Sequence, residues 1–165
     1  MKPSTLFLIA IAFVFLLWKG CYHPKFPEIA TNYLSTFDSS EESGELKPTP
    51  KPCAGKDYCV YIYLAAWCPH CRDLIQDIQQ YRNFWRDGKR PGLIVIVGND
   101  KKAAIESMAM SVGVPVFLDS EDKFRKKFHI NFFPYFMVVD RDKHIIASKQ
   151  GGMTWVDQEI NSHLK

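Results

Sequence analysis

The sequence lacks a strong excess of charge of either sign. It has 21 lysine and arginine residues against 18 aspartate and glutamate residues among 165, which gives a formal net charge of +3. This balance argues against a nucleic-acid-binding protein, which normally carries a clustered basic surface. The basic residues are scattered apart from those in residues 123–127, which we interpret as the solvated face of a helix. No internal repeat is present, and 47% hydrophobic residues suit one domain with its own core plus an appendage.

The N-terminus lacks a hydrophobic run as long as an ordinary membrane span of about 20 residues. Its apolar run covers residues 6–18 and resembles the hydrophobic region of a signal peptide. No A-x-A cleavage site follows, and the residues before Cys21 do not form a good lipobox. We therefore interpret residues 1–20 as a signal anchor or a signal peptide, favour the anchor, and predict membrane attachment through residues 5–18. Either interpretation exports the rest of the chain.

Residues 21–55 are rich in Pro, Ser and Glu and have the composition of a linker with low packing power. Within this segment, residues 28–37 fit two interpretations. They form either a short helix docked on the domain or membrane, or part of a loose spacer. A domain with its own core is predicted over residues 56–165.

The five cysteines are an odd number, so at least one of them is unpaired or modified. Cys53 and Cys59 flank a segment that contains a turn signal. In an oxidising compartment we predict a structural disulfide between these two residues. The alternative is two unpaired thiols, one of them buried on the first strand of the domain.

Within the domain, apolar runs typical of strands alternate with segments of helical spacing. Asn99 and Asp100 are expected to cap the second helix, and Ser120 the third. Alternating strands and helices give a parallel sheet with helices on both faces, and a closing hairpin adds antiparallel strands. Strands are predicted over residues 58–66, 93–98, 114–118, 135–139 and 144–148, and helices over residues 69–86, 103–110, 120–130 and 154–163.

The segment between the first strand and the first helix is Trp67-Cys68-Pro69-His70-Cys71. Two cysteines at i and i+3 on the first turn of a helix are close enough to form a disulfide. Unpaired N–H groups and the helix dipole, worth about 0.3–1 kcal/mol, favour a thiolate on Cys68 at the helix N-terminus. His70 is the candidate for further stabilisation of this thiolate, and Pro69 suits the first turn because its missing N–H costs nothing there. The motif in this context predicts dithiol–disulfide exchange.

Three alternatives compete with this redox role. The two cysteines of the motif fit a structural disulfide or a pair of inert thiols. They also fit a metal site, although no second CxxC supports zinc. His70, His129 and His144 are candidate copper ligands, but each is explained more simply by its place in a turn, a helix end or a strand. The third alternative is a binding module or chaperone tethered at the membrane. We expect no cofactor and no resident metal.

Residues 56–165 resemble the thioredoxin superfamily. The resemblance rests on the CxxC motif between strand and helix, Phe133-Pro134 before the penultimate strand, the closing hairpin, Gly151-Gly152 and the last helix. The extra helix and strand over residues 99–118 are similar to the membrane-anchored, exported TlpA/ResA-like branch, whereas Pro-His inside the motif resembles DsbA-type oxidants. The resemblance implies a thioredoxin fold, which is an α/β domain with a central mixed sheet, helices on both faces and, here, an inserted helix–strand unit.

The resemblance also implies roles for the residues of the motif. Cys68 becomes the exposed nucleophile and Cys71 the buried resolving thiol. Trp67, Pro69 and His70 become modulators of these two thiols. Stabilisation of the Cys68 thiolate by His70 would favour the reduced form and make the protein more oxidising.

Outside the motif, the resemblance implies that Phe133 and Pro134 contact the substrate, with a cis peptide bond before Pro134. Phe133 departs from the small or β-branched residue of many relatives. Classical thioredoxins carry a buried acidic residue on the strand before the motif, and this chain has Ile62 at that position. Glu106 on the inserted segment is a candidate replacement for that acid.

The function implied by the resemblance is an exported thiol-disulfide oxidoreductase in the bacterial periplasm, tethered to the inner membrane. Its partners are protein thiols and disulfides together with a membrane redox partner. The motif is similar to that of an oxidant and the scaffold to that of a reductant. The two resemblances therefore imply opposite directions of exchange.

Overall fold

The computed structural model describes residues 35–37, 53–85, 91–114 and 116–163. These ranges contain strands and helices in the predicted alternating order, preceded by one additional short strand. The strands are β1 (Ser35–Phe37), β2 (Tyr58–Ala65), β3 (Gly92–Gly98), β4 (Val116–Asp119), β5 (Tyr135–Asp140) and β6 (Ile145–Gln150). The helices are α1 (Pro69–Trp85), α2 (Lys102–Val112), α3 (Lys123–Lys127) and α4 (Met153–His163).

The strands form one mixed sheet in the order β1-β4-β3-β2-β5-β6. β3 pairs in parallel with β2 on one side and with β4 on the other. It is buried along its whole length, as its continuous apolar sequence indicates. β5 is antiparallel to β2 and to β6, so the closing hairpin supplies the antiparallel part of the sheet.

The register brings several loops to one edge of the sheet. Ala65 pairs with Gly98, and Gly98 pairs with Asp119, so β2, β3 and β4 end side by side. Tyr63 pairs with Tyr135, the first residue of the antiparallel strand β5. The segment that follows β2 and the segment that precedes β5 therefore meet at this edge. These segments contain the CxxC motif and Phe133-Pro134, respectively.

Helices pack on both faces of the sheet. Tyr63 contacts Phe124 of α3, with ring centroids 6.1 Å apart. Phe136 lies opposite Ile62 across the β2–β5 pair, so both occupy the face that Tyr63 does not, and Phe136 contacts Trp155 of α4 with ring centroids 6.3 Å apart. α3 and α4 therefore cover opposite faces. The inserted unit consists of α2 and β4.

The strand β1 differs from the expectation for the preceding segment. The sequence predicts a linker over residues 35–37, with a short helix over residues 28–37 as one interpretation. Ser35–Phe37 instead pair antiparallel with β4, and Phe37 lies opposite Val116. The helix is thus wrong for these three residues, because the unpaired edge of β4 offers backbone partners that a helix could not use. Residues 28–34 lie outside the described residues.

Two predicted helix caps are also wrong. α2 begins after Lys101, and Asp100 accepts a hydrogen bond of 2.7 Å from the Lys101 backbone N–H instead of capping the helix. α3 begins after Asp122, not Ser120. The N–H groups of Phe124 and Arg125 at its start donate to the side chain of Asp119 at 3.1 and 3.0 Å. The capping group thus comes from the end of β4, four residues before the helix's first residue.

The predicted membrane segment, residues 5–18, lies outside the described residues. Within the part of the chain that the structure describes, no helix combines the length and the hydrophobicity that a membrane span needs. The division into an N-terminal anchor or signal, a linker and a domain therefore stays a prediction.

Candidate active site

The CxxC motif occupies the junction between β2 and α1. A hydrogen bond of 3.0 Å from the Cys68 N–H to the carbonyl of Ala65 closes the turn after the strand. The Arg72 N–H then donates to the carbonyl of Cys68 at 3.3 Å, which is the first hydrogen bond of the helix. Pro69 is the first helical residue, where it leaves no backbone donor without a partner. Cys68 thus lies at the start of α1 and Cys71 in its first turn.

Cys71 is fully buried, and its sulfur accepts a hydrogen bond of 3.4 Å from the backbone N–H of Ala65. Burial raises the pKa of Cys71 to about 12, because a thiolate at this position would lose its hydration. The Ala65 N–H lowers the pKa in part, whereas the neighbouring Cys68 raises it. Cys71 is therefore a protonated thiol at neutral pH in the reduced protein.

Cys68 is the more accessible of the two thiols, but only 5% of its surface is exposed. It is less open than the exposed nucleophile that the sequence led us to expect. The reason is its contact with the loop before β5, because the Cys68 thiol donates to the carbonyl of Phe133 at 3.8 Å. Both cysteines are unbridged thiols in this structure.

The carbonyl of Phe133 lies at the centre of the site. The Phe133–Pro134 peptide bond is cis, and Pro134 is buried and lines a groove between this loop and α1. The same carbonyl accepts a second hydrogen bond of 3.1 Å from the side-chain amide of Gln150, at the end of β6. A residue of the last strand thus holds the loop that contacts the reactive thiol.

Two large aromatic side chains are exposed next to the site in the chain. Trp67 is 53% exposed, and its ring meets that of Phe133 edge-on with centroids 5.7 Å apart. Phe132, the neighbour of Phe133, is 66% exposed. Exposed aromatic side chains of this size offer apolar surface to a polypeptide that docks at Cys68.

The sequence singles out three further positions, namely His70 as a modulator and Ile62 and Glu106 in connection with the missing acid. His70 is exposed and lines the groove beside Phe133 and Pro134, without a hydrogen bond to Cys68 among the described residues. Ile62 is buried, so β2 carries no acid at that position. Glu106 forms an ion pair of 3.8 Å with Lys102 on the surface of α2, and its role as a replacement for the missing acid stays a prediction.

Cys53 and Cys59 are joined by a disulfide, with their Cα atoms 5.5 Å apart. Cys59 is buried on β2, whereas Cys53 precedes the strand and packs against the core. A backbone hydrogen bond of 3.3 Å from the Lys56 N–H to the carbonyl of Cys53 closes the turn between them. The disulfide attaches the segment before the domain to its first long strand.

The candidate copper ligands do not converge. His144 lies at the hairpin end of the sheet, where its Nδ1 is 3.2 Å from a carboxylate oxygen of Asp140. His70 lies beyond the opposite end of β2, because Asp140 pairs with Tyr58. Among the described residues, Asp140, Asp142 and His144 form the one group with three metal-type ligand atoms within 4.8 Å of one another. This group contains no residue of the CxxC motif.

Sequence reasoning missed several residues around the site. Asp119 is fully buried and accepts a hydrogen bond of 2.9 Å from the hydroxyl of Tyr63, in addition to those from α3. Burial and the nearby charge of Asp119 raise the pKa of Tyr63. The available signal was an acidic residue directly at the end of an apolar strand. Gln150 carried no such signal, because a polar residue near a strand end is ordinary.

The structure is similar to several solved proteins of low sequence identity. The N-terminal domain of PilB from Neisseria gonorrhoeae superposes with a TM-score of 0.63 at 12% identity, covering 82% of this chain and 89% of that one. The exposed lipoprotein thioredoxin Etrx1 of Streptococcus pneumoniae gives a TM-score of 0.53 at 14% identity, covering 64% and 85%. A secreted disulfide oxidoreductase of Mycobacterium tuberculosis gives 0.51 at 12% identity, covering 64% and 81%. These likenesses confirm the predicted thioredoxin-like fold.

No curated protein matches the chain in sequence. The sequence profile of the Redoxin family, in contrast, matches residues 25–164, which is most of the chain. This range includes both cysteines of the motif, Phe133-Pro134 and the edge strand β1. The chain therefore belongs to the Redoxin family.

Proposed function

We propose that this protein is a thiol-disulfide oxidoreductase that exchanges a Cys68–Cys71 dithiol or disulfide with protein substrates. One observation carries the proposal, and it is the unequal placement of the two thiols. Cys68 lies at the helix start against the carbonyl before the cis-bonded Pro134, and Cys71 is fully buried behind it. A structural disulfide needs no such difference, whereas an exchange reaction needs one thiol to attack and the other to resolve.

Bonds, electrons and protons balance in the proposed exchange reaction. In the reducing direction, the Cys68 thiolate attacks one sulfur of a substrate disulfide, so the Cys68–substrate bond forms and the substrate S–S bond breaks. The sulfur that leaves takes up a proton. Cys71 then loses its proton, attacks the Cys68 sulfur and releases the second substrate thiol. Two electrons and two protons pass to the substrate, and the oxidising direction is the reverse.

The surroundings of Cys68 support this sequence of steps. Cys68 lies at the N-terminus of α1, whereas the high pKa of Cys71 keeps that thiol protonated until the mixed disulfide has formed. Phe133 and Pro134 are proposed to contact the substrate, and Trp67, Pro69 and His70 to modulate the thiols. The proposal also includes two finer similarities. The Pro-His dipeptide is similar to that of DsbA-type oxidants, and the inserted α2–β4 unit is similar to that of the TlpA/ResA-like branch. A membrane redox partner is included because each turnover changes the Cys68–Cys71 pair by two electrons.

The proposed location is the exported side of a bacterial inner membrane, with residues 5–18 as the tether. The apolar N-terminal run, the Cys53–Cys59 disulfide and the exposed or secreted proteins of similar fold support it. The test is cell fractionation of the full chain and of a variant without residues 1–20. Recovery of both in the soluble cytosolic fraction, with Cys53 and Cys59 reduced, would contradict the location.

The proposed activity is tested with the full chain and two single variants. Wild-type protein is expected to reduce insulin or to refold a scrambled disulfide protein, and Cys68→Ser to abolish both reactions. Cys71→Ser is expected to accumulate a mixed disulfide through Cys68, seen as a mass increase that a reductant removes. Measurement of the Cys68–Cys71 reduction potential against glutathione decides which direction dominates. Turnover that persists in Cys68→Ser would overturn the proposal.

A further inference from the structure

A groove of about 460 Å³ is lined in part by Pro134 and by Phe133, whose carbonyl accepts a hydrogen bond from the Cys68 thiol. One wall is α1, and the other consists of the loop before β5 together with the end of β6. Phe133 and Pro134 supply apolar surface to the second wall, whereas Gln150 uses its amide to hold the carbonyl of Phe133. The polar group of that wall is thus already engaged within the protein.

The helical wall carries two negative charges. His70, Asp73, Leu74 and Asp77 line the groove, and their spacing of i, i+3, i+4 and i+7 places them on a single face of α1. The carboxylates of Asp73 and Asp77 are neighbours on this face, and like charges at i and i+4 destabilise a helix. Local helix stability therefore does not explain this pair.

Neither carboxylate has a partner within the described part of the protein. Asp73 and Asp77 are both exposed, and the ion pairs of the described residues involve other groups. The nearest basic residue on α1, Arg72, reaches the carbonyl of Trp67 on another side of the helix, at 3.4 Å. Lys149 precedes Gln150 on β6, so its side chain points to the opposite face of the sheet. Among the described residues, the groove lining thus carries two carboxylates and no lysine or arginine, on a chain with a net charge of +3.

We infer that the groove selects polypeptide substrates that carry a lysine or arginine side chain close to the reacting cysteine. The inference rests on the proposed function and names the substrate class of the same site. From His70 to Asp77 the helix rises by about 10 Å, the length of about three residues of extended chain. A basic side chain about three residues from the cysteine bound at Cys68 is therefore expected to lie near these carboxylates. Complementary charge of this kind raises the association rate and discriminates between partners.

The test compares three disulfide-linked peptide substrates that differ at one position, three residues from the reacting cysteine. This position carries Lys, Gln or Glu. Exchange with wild-type protein is followed as kcat/KM at low and at high ionic strength. At low ionic strength we expect the Lys peptide to react about five- to tenfold faster than the Glu peptide, which corresponds to about 1–1.4 kcal/mol. High salt should reduce this ratio, because exposed charges are screened.

The variant D73N/D77N is expected to bring the Lys-to-Glu ratio close to one while it leaves kcat/KM for the Gln peptide almost unchanged. D142N is the matched control, because Asp142 is exposed in the hairpin turn at the opposite end of the sheet and its loss changes the net charge equally per residue. D142N should keep the wild-type ratio.

Each outcome bears on a separate claim. Equal rates for the Lys and Glu peptides, or a preference that survives in D73N/D77N, overturn the charge selection while the oxidoreductase function stands. Loss of the preference in D142N as well would show that it follows the net charge of the chain and not the groove. Absence of Cys68-dependent exchange with all three peptides overturns the proposed function and this inference together.

Discussion

The hydroxyl of Tyr63 donates a hydrogen bond of 2.9 Å to the carboxylate of Asp119, although their strands, β2 and β4, do not pair with each other. The bond spans β3 at Gly98, where a Cβ atom would overlap the Tyr63 hydroxyl. The ring of Tyr63 also lies against that of Phe133, with centroids 5.8 Å apart. A buried polar pair thus supports the loop whose carbonyl faces Cys68.

Asp119→Ala is expected to destabilise the protein by about 2–4 kcal/mol, because the Tyr63 hydroxyl and two N–H groups of α3 would lose their acceptor. Denaturant unfolding measures this change. Glu121→Ala is the control, since Glu121 is an exposed acid two residues away that pairs with Lys123. An equal loss of stability in both variants would contradict the role assigned to Asp119.

Gly98→Ala is expected to cost about 1–3 kcal/mol, because the added methyl group occupies the space of the Tyr63 hydroxyl. The cost should be smaller when Tyr63 is already Phe, so the two substitutions should not be additive in a double-mutant cycle. Gly152→Ala provides the control, since a Cβ atom there would meet nothing within 4 Å. Additive losses would show that the two sites are independent.

The stability of the reduced protein should fall as pH rises from about 9 towards 12. Burial raises the pKa of Cys71 from its ordinary value of 9.0 to about 12, so the folded state holds a proton that the unfolded chain releases. The contribution is complete below pH 9 and is lost as pH approaches the pKa of the folded state. The measurement is the free energy of unfolding against pH for reduced wild type and Cys71→Ala. Burial also raises the pKa of Tyr61 to about 12, but Tyr61 is present in both proteins and does not change the difference between them. Stability curves that run parallel in wild type and Cys71→Ala would contradict the prediction.

His70→Gly is expected to lower the reduction potential of the Cys68–Cys71 pair by tens of millivolts, since about 30 mV corresponds to 1.4 kcal/mol for two electrons. The proposed reason is that His70, which lies in the groove beside Phe133 without a hydrogen bond to Cys68 in this structure, turns towards the sulfur of Cys68 when the pair is reduced. Equilibration with glutathione buffers measures the potential. His129→Gly is the matched control, because His129 is exposed at the end of α3 with a φ of 51°. An unchanged potential in His70→Gly would remove this role.

Much of the fold follows from local patterns in the sequence. The continuous apolar runs of β2 and β3 indicate strands with neighbours on both sides, and the helical spacing of Leu74 and Ile78 indicates the buried face of α1. The strand–CxxC–helix context located both thiols. These features are predictable because they depend on residues that are close in sequence.

The structure differs from the expectations based on sequence where segments that are distant in sequence meet. Ser120 is a good capping residue by local rules, yet Asp119 caps α3 because the register of β4 brings its carboxylate under the helix start. β1 forms because β4 presents a free edge, a fact that no property of residues 35–37 reveals. The limited exposure of Cys68 results from the loop before β5, which is far away along the chain.

The sequence by itself determined the α/β class, the position of the two thiols at the start of a helix, and the apolar cores of the strands, since these depend on short-range periodicity and helix-end chemistry. Only the tertiary structure decided which groups surround Cys68. The contacts of Phe133, Gln150 and the Tyr63–Asp119 pair join residues 17 to 65 positions apart in sequence. Such contacts depend on strand order and register, and burial then determines that Cys71 stays protonated.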